Sequence, residues 1–122
     1  MGEVNRDIVA IVDDDDAVRD SLRFLVEVAG HKVEAFSAAA EFLAADLRHI
    51  ACLVLDQHMP AMTGLQLAEQ LRTTNPAIPI MLITGSPSPA IVARANGLGI
   101  EIVLEKPPAE ADILNFIAAH KP

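Results

Sequence analysis

"DIVAIVDDDD", residues 7 to 16, sets five apolar residues, Ile8 to Val12, directly against four aspartates. The apolar run shows no alternation of apolar and polar positions. A strand with one face in water alternates, so an unbroken run rich in β-branched residues implies a strand covered on both faces, as in a parallel sheet wrapped by helices. The aspartates come at its end. Carboxylates about 4 Å apart repel by roughly 4 kcal/mol at an effective dielectric near 20, so a fold that gathers them needs a compensating positive charge.

Working outward, three more apolar runs repeat the pattern: "IACLVL" (50 to 55), "IPIMLIT" (78 to 84) and "IEIVLE" (100 to 105). A fifth segment, "HKVEAF" (31 to 36), alternates, with Val33 and Ala35 on one side and Lys32 and Glu34 on the other, as an edge strand does. Between the runs lie helical periods: Val18, Leu22, Leu25 and Ala29; Phe42, Leu43 and Leu47; Leu65, Ala68 and Leu71. Gly30 stops the first helix, and Pro76 and Pro79 follow the third. Ser88 and Pro89 read as the N-cap and first position of a fourth helix running to about Leu98. Residues 109 to 120 make a fifth, with Ile113, Phe116 and Ile117 inward. Strands separated by crossover helices are parallel, and right-handed crossovers on both faces give a doubly wound α/β sheet of (βα)5 pattern. No linker or repeat divides the chain, so residues 1 to 122 are expected to form one domain.

Composition narrows the function. The net charge is −8, whereas nucleic-acid phosphates need clustered Lys and Arg, so direct nucleic-acid binding is not expected. Aromatic residues are 3% of the chain with no Trp or Tyr, which leaves little from which to build a base- or sugar-stacking surface. No apolar run approaches the 18 or more residues of a membrane span, and "MGEVNRD" lacks a signal-peptide pattern; no membrane contact and a cytoplasmic location are the expectations. The single cysteine, Cys52, lies within a strand run and reads as a small buried hydrophobe.

In doubly wound sheets function collects beyond the carboxyl ends of the strands. There this sequence sets Asp13 and Asp14 after the first strand, Asp56 after the third, Thr84 after the fourth and Lys106 after the fifth. Three carboxylates on one rim call for a divalent, oxygen-seeking cation, and Mg²⁺ is the natural choice. Asp15 and Asp16 fall at the start of the next helix, where negative charge suits the dipole. A carboxylate beside Mg²⁺, a lysine and a threonine hydroxyl meets the needs of phosphoryl transfer, with Asp56, on the central strand, as nucleophile.

"VDDDDAVRDSL", "CLVLDQHMPAMTGLQL", "IPIMLITG" and "LEKP" occur in this order across essentially the whole chain. In order and spacing they resemble the receiver domains of two-component response regulators, and within them the FixJ-like subgroup. The resemblance implies a flavodoxin-like strand order 2-1-3-4-5. It makes Asp56 the phosphoacceptor, Asp14 the direct Mg²⁺ ligand and Asp13 a ligand mostly through water, with the backbone carbonyl of His58 completing the metal set. Thr84 becomes the switch hydroxyl and Lys106 the ion-pair partner, followed by a cis Lys106-Pro107 bond. A sensor histidine kinase or phosphotransfer protein is the implied phosphodonor, and a homodimer through the fourth helix, fifth strand and fifth helix is one implied assembly. Such a chain is no enzyme in the ordinary sense: it transfers a phosphoryl group only to, and hydrolyses it only from, its own aspartate.

Four positions depart from that family. Val103 stands where an aromatic is usual, Pro108 follows Lys106-Pro107 in place of an apolar residue such as Phe, and Pro87 and Pro89 restrict the loop after Thr84. These departures favour an alternative, a constitutive interaction module with little phosphorylation-dependent output. A phosphohydrolase of the haloacid dehalogenase type would want an acid two residues after the nucleophile, where this chain has His58. His31, His49 and His120 show no zinc-ligand spacing with it. In "MPAMTG" the methionines read as packing and Gly64 as relief of a backbone conformation.

Overall fold

The computed structural model describes residues 5–75 and 77–121. Five strands and five helices alternate: β1 Ile8–Val12, α1 Asp16–Val28, β2 Lys32–Phe36, α2 Ala39–Ala44, β3 Ile50–Asp56, α3 Gly64–Thr74, β4 Ile80–Thr84, α4 Pro89–Gly97, β5 Ile102–Glu105 and α5 Glu110–His120. The strands form one parallel sheet in the order β2-β1-β3-β4-β5. Strand order therefore reverses between β1 and β3. Ligands of such sheets bind outside the strand ends at that point, where Asp13 follows β1 and Asp56 ends β3.

Side chains of each central strand alternate between two cores. Ala10, Val12, Leu53, Leu55, Ile80 and Leu82 pack with Phe42 of α2, Leu65, Ala68 and Leu71 of α3 and Ala95 of α4. On the opposite face Val9, Ile11, Cys52, Val54, Met81 and Ile83 pack with Leu22 and Val26 of α1 and Ile113, Phe116 and Ile117 of α5. Three of the four unbroken apolar runs are thus explained, since both faces of β1, β3 and β4 are covered; the fourth is corrected, because β5 lies at the sheet edge and is only half-buried. Lys32 and Glu34 of β2 are exposed while Val33 and Ala35 are half-buried, as its alternation predicts for an edge strand. The Cys52 thiol is fully buried, and desolvation pushes its pKa up to about 12, so it stays a neutral packing group.

Caps match the sequence closely. Ser88 accepts the Ile91 N–H at the start of α4 with Pro89 in the first turn, and Gly30 leaves α1 with φ of +97°. Two helices differ from expectation. Helix α2 ends at Ala44, because Ala45 turns extended and Asp46 accepts the Arg48 N–H; Leu47 still packs on the core from the following loop. Along α1 the buried stripe is Leu22 and Val26 with Leu25 beside them, whereas Val18 is 40% exposed and Ala29 is the C-cap. Pro76, expected as a helix stop, lies outside the described residues, while Pro79 follows α3 as expected. No helix among the described residues is long and apolar enough to cross a membrane.

Candidate functional site

The four consecutive aspartates divide by position. Asp13 extends the β1 ladder, its N–H donating to the Phe36 carbonyl (3.1 Å), and the residue is 4% exposed. The Asp15 N–H donates back to Asp13 Oδ1 (2.9 Å), and this turn aims the carboxylate across the sheet end. Asp15 itself caps α1 by accepting the Val18 N–H (3.1 Å), and Asp16 sits in the first helical turn paired with Arg19. Arg19 also donates to the Asp13 carbonyl (2.8 Å), tying helix to strand end. Asp14 is exposed. Asp13, Asp14 and Asp56 each offer an oxygen within 4.8 Å of the others.

Asp56, the last residue of β3, is 3% exposed. Its Oδ1 lies 2.7 Å from Lys106 Nζ, yet that oxygen has no partner in hydrogen-bond geometry. The ammonium balances its charge. Lys106 reaches the carboxylate from the end of β5: its N–H donates to the Thr84 carbonyl (2.9 Å), and the Lys106-Pro107 peptide bond is cis. Partial burial acts to lower the Lys106 pKa, but the Asp56 carboxylate, with Asp13 and Asp14 behind it, outweighs this and raises it. Asp13 moves the other way for an acid. Desolvation pushes it up to about 6, the Asp15 N–H opposes that, and Asp56 and Asp14 add repulsion.

Thr84 ends β4 and is fully buried. Its hydroxyl accepts the Ser86 N–H (3.1 Å) and bonds His58 Nε2 (2.8 Å). The sequence reading gave His58 a backbone role only. A hydrogen bond between residues 26 apart follows from how the loop after β3 folds, and no local pattern signals it.

That loop is framed by Gln57 and Gly64. The Gln57 N–H donates to the Ile83 carbonyl (2.9 Å), its carbonyl accepts the Gly64 N–H (3.1 Å), and its side-chain Oε1 accepts the Leu65 N–H (2.8 Å). Thr63 and Gln66 form a reciprocal capping box that starts α3, a signature legible in "TGLQ". The expected reason for Gly64 is corrected. Its φ is not in the left-handed region; instead a Cβ there would meet the Asp56 carbonyl at 2.5 Å and Leu82 Cδ1 at 2.9 Å. Glycine is needed for space. The left-handed residue of the loop is Ala61, with φ of 67°. Met59 is buried and Met62 packs against the core, as expected of packing residues.

The donor set at the sheet end is all oxygen and anionic, with one buried oxygen short of a directed partner and one carboxyl whose ionisation its neighbours oppose. A hard divalent cation of the Mg²⁺ kind fits such a set. With a cationic ammonium and a buried hydroxyl on the far side, the arrangement can surround a tetrahedral oxyanion with opposite charge and a hydrogen-bond donor. The unusual residues lie around this core. Val103 pairs with Leu82 and is half-buried on the α2–α4 side, and Pro108 lines a small apolar hollow with Val18, Leu22 and Ile83 beside Lys106. Pro87 is exposed and Pro89 opens α4.

The family described as the response regulator receiver domain matches residues 9–118. The transcriptional regulatory protein FixJ of Azorhizobium caulinodans is 37% identical over 112 residues, 91% of this chain and 53% of that protein. The response regulator protein TodT of Pseudomonas putida is 38% identical over 114 residues, 92% of this chain and 50% of its own length. The chain thus spans about half the length of these curated relatives. Among solved structures, the response regulator StyR is 39% identical with a TM-score of 0.84, over 93% of this chain and 58% of that one. The chemotaxis protein CheY4 of Vibrio cholerae is 26% identical with a TM-score of 0.85, over 93% and 98% of the two chains.

Proposed function

Because the chain belongs to the response regulator receiver domain family, we propose that it accepts a phosphoryl group on Asp56 from a sensor histidine kinase or phosphotransfer protein. The observation that carries this reading is the Asp56 carboxylate itself, buried at the end of β3, ion-paired to Lys106 Nζ at 2.7 Å and gathered with Asp13 and Asp14. In the transfer a carboxylate oxygen attacks phosphorus, the bond from phosphorus to the donor's imidazole nitrogen breaks, and its electron pair stays on that nitrogen. Lys106 neutralises charge on the phosphoryl oxygens, and the Thr84 hydroxyl donates to one of them. Asp13, Asp14 and Asp56, with the His58 backbone carbonyl, would hold Mg²⁺, which when bound supplies the remaining positive charge. Burial of Asp56 at the floor of the rim keeps water from competing at the carboxylate.

In this reading residues 1 to 122 work as a receiver unit in the cytoplasm. The surface of α4, β5 and α5 carries the change to a partner or a second copy, and nucleic acid is not bound directly. A second reading is favoured by Val103, whose half-buried side chain packs on the core where a rotating aromatic is expected. It makes the fold a constitutive interaction module. Incubation with acetyl phosphate and Mg²⁺ followed by intact mass decides between them. The first reading expects the mass of one phosphoryl group added per chain; an unchanged mass supports the second.

A further inference from the structure

The His58 side chain has no part in the reading above, yet its Nε2 lies 2.8 Å from the one hydroxyl expected to close on the phosphoryl group. Which way that bond runs follows from counting protons. Thr84 Oγ1 already accepts the Ser86 N–H (3.1 Å), and Thr84 is fully buried. A hydroxyl has one proton to donate, and a buried donor left unpaired is unfavourable by about 1–3 kcal/mol. Were His58 also to donate to Oγ1, the Thr84 proton would lack an acceptor among the described contacts. The satisfied arrangement has Thr84 donating to a bare Nε2, which places the imidazole proton on Nδ1. This tautomer is assigned from the hydrogen-bond network.

We propose that the His58 imidazole is a positioning residue that holds the Thr84 hydroxyl proton in the resting protein, so that a phosphoryl group on Asp56 engages Thr84 only by displacing it. The proposal rests on the phosphoacceptor reading of Asp56. A phosphoryl oxygen and Nε2 compete for one proton. The imidazole bond therefore stabilises the unphosphorylated state and weakens capture of a phosphoryl group by the net worth of one hydrogen bond. A ligand shifts such an equilibrium only through its differential affinity for the two states. His58 sets part of that difference in this chain, and its exposed position over a buried hydroxyl leaves the ring free to swing away.

Two measurements on the intact chain test it. In the metal-free protein near pH 8, long-range ¹H–¹⁵N correlation should show His58 protonated on Nδ1, with Nε2 bare; the signals are assigned by their loss in His58→Gln. A predominantly Nε2-protonated ring overturns the proposal. Second, titration with beryllofluoride and Mg²⁺, a phosphoryl mimic, should show His58→Leu binding about two- to tenfold more tightly than the wild type. His58→Gln, which keeps an acceptor, should stay near the wild type, and the gain from His58→Leu should vanish in a Thr84→Val background. Equal or weaker binding by His58→Leu, or a gain that survives Thr84→Val, overturns it. A wild type that does not bind beryllofluoride at all refutes the phosphoacceptor reading, and the gating role falls with it whatever the tautomer.

Discussion

Asp13 and Asp56 stand at the ends of neighbouring strands, and burial together with mutual repulsion gives Asp13 a pKa of about 6 against an ordinary 3.8. An acid with a raised pKa binds its proton more tightly in the native than in the unfolded state. Its contribution to stability is full below about pH 4 and is lost as pH rises toward 6. In the absence of divalent metal, this one group should remove on the order of 2 kcal/mol between those limits. Asp7, Glu41 and His31 have lowered pKa values and act in the opposite sense, Glu41 and His31 partly within the same window, so the Asp13 contribution is read as the difference between wild type and variant. Asp13→Asn should remove this fall from the metal-free unfolding free energy across that window, measured by urea titration of wild type and variant side by side. An identical slope in wild type and variant would show that Asp13 is not held in this environment. The acidic and basic residues of the site were legible because each lies at, or within two residues of, the end of a strand. The His58 ring was not, since only the folded loop carries it to Thr84.

Elements bring those residues together through close backbone approach, and α3 shows it best. Its first residue, Gly64, lies so near β3 that an added Cβ would press on the Asp56 carbonyl at 2.5 Å. Backbone cannot yield as a flexible side chain does, so Gly64→Ala should destabilise the fold by about 1–3 kcal/mol, in the range of overpacked cores. Thermal unfolding would check this, and a variant as stable as the wild type would mean that α3 can retreat without loss. Strand positions and most helix starts were legible because runs of β-branched residues and caps such as Ser88-Pro89 are local signals. The end of α2 was not. Leu47 keeps the apolar spacing of a helix while packing from a loop, and periodicity alone does not distinguish the two. The role of Gly64 was misread for a related reason: sequence marks a glycine without saying whether angle or space demands it.

For the whole molecule, the sheet order β2-β1-β3-β4-β5 sets the acidic cluster at the switch point and leaves the α4, β5 and α5 surface on the far side from β2. Mg²⁺ should stabilise this fold, because the cluster exists only in the native state; at about 100 times the dissociation constant the gain is roughly 2.7 kcal/mol. Asp14→Ala should lose most of it, and a melting temperature indifferent to millimolar Mg²⁺ would remove the metal site. Output is a separate matter. Val103 is half-buried against the core, short and stiff at χ1, and makes no aromatic swing. Beryllofluoride with Mg²⁺ should therefore produce only a modest change in self-association by sedimentation, and a clean monomer-to-dimer conversion at micromolar protein would show that other residues carry the signal. The central claim is that Asp56 is the phosphoacceptor. Wild type and Asp56→Asn, incubated side by side with acetyl phosphate and Mg²⁺ and weighed intact, test it most directly: one phosphoryl group on the wild type and none on the variant is the predicted result, and a variant labelled as fully as the wild type would contradict it.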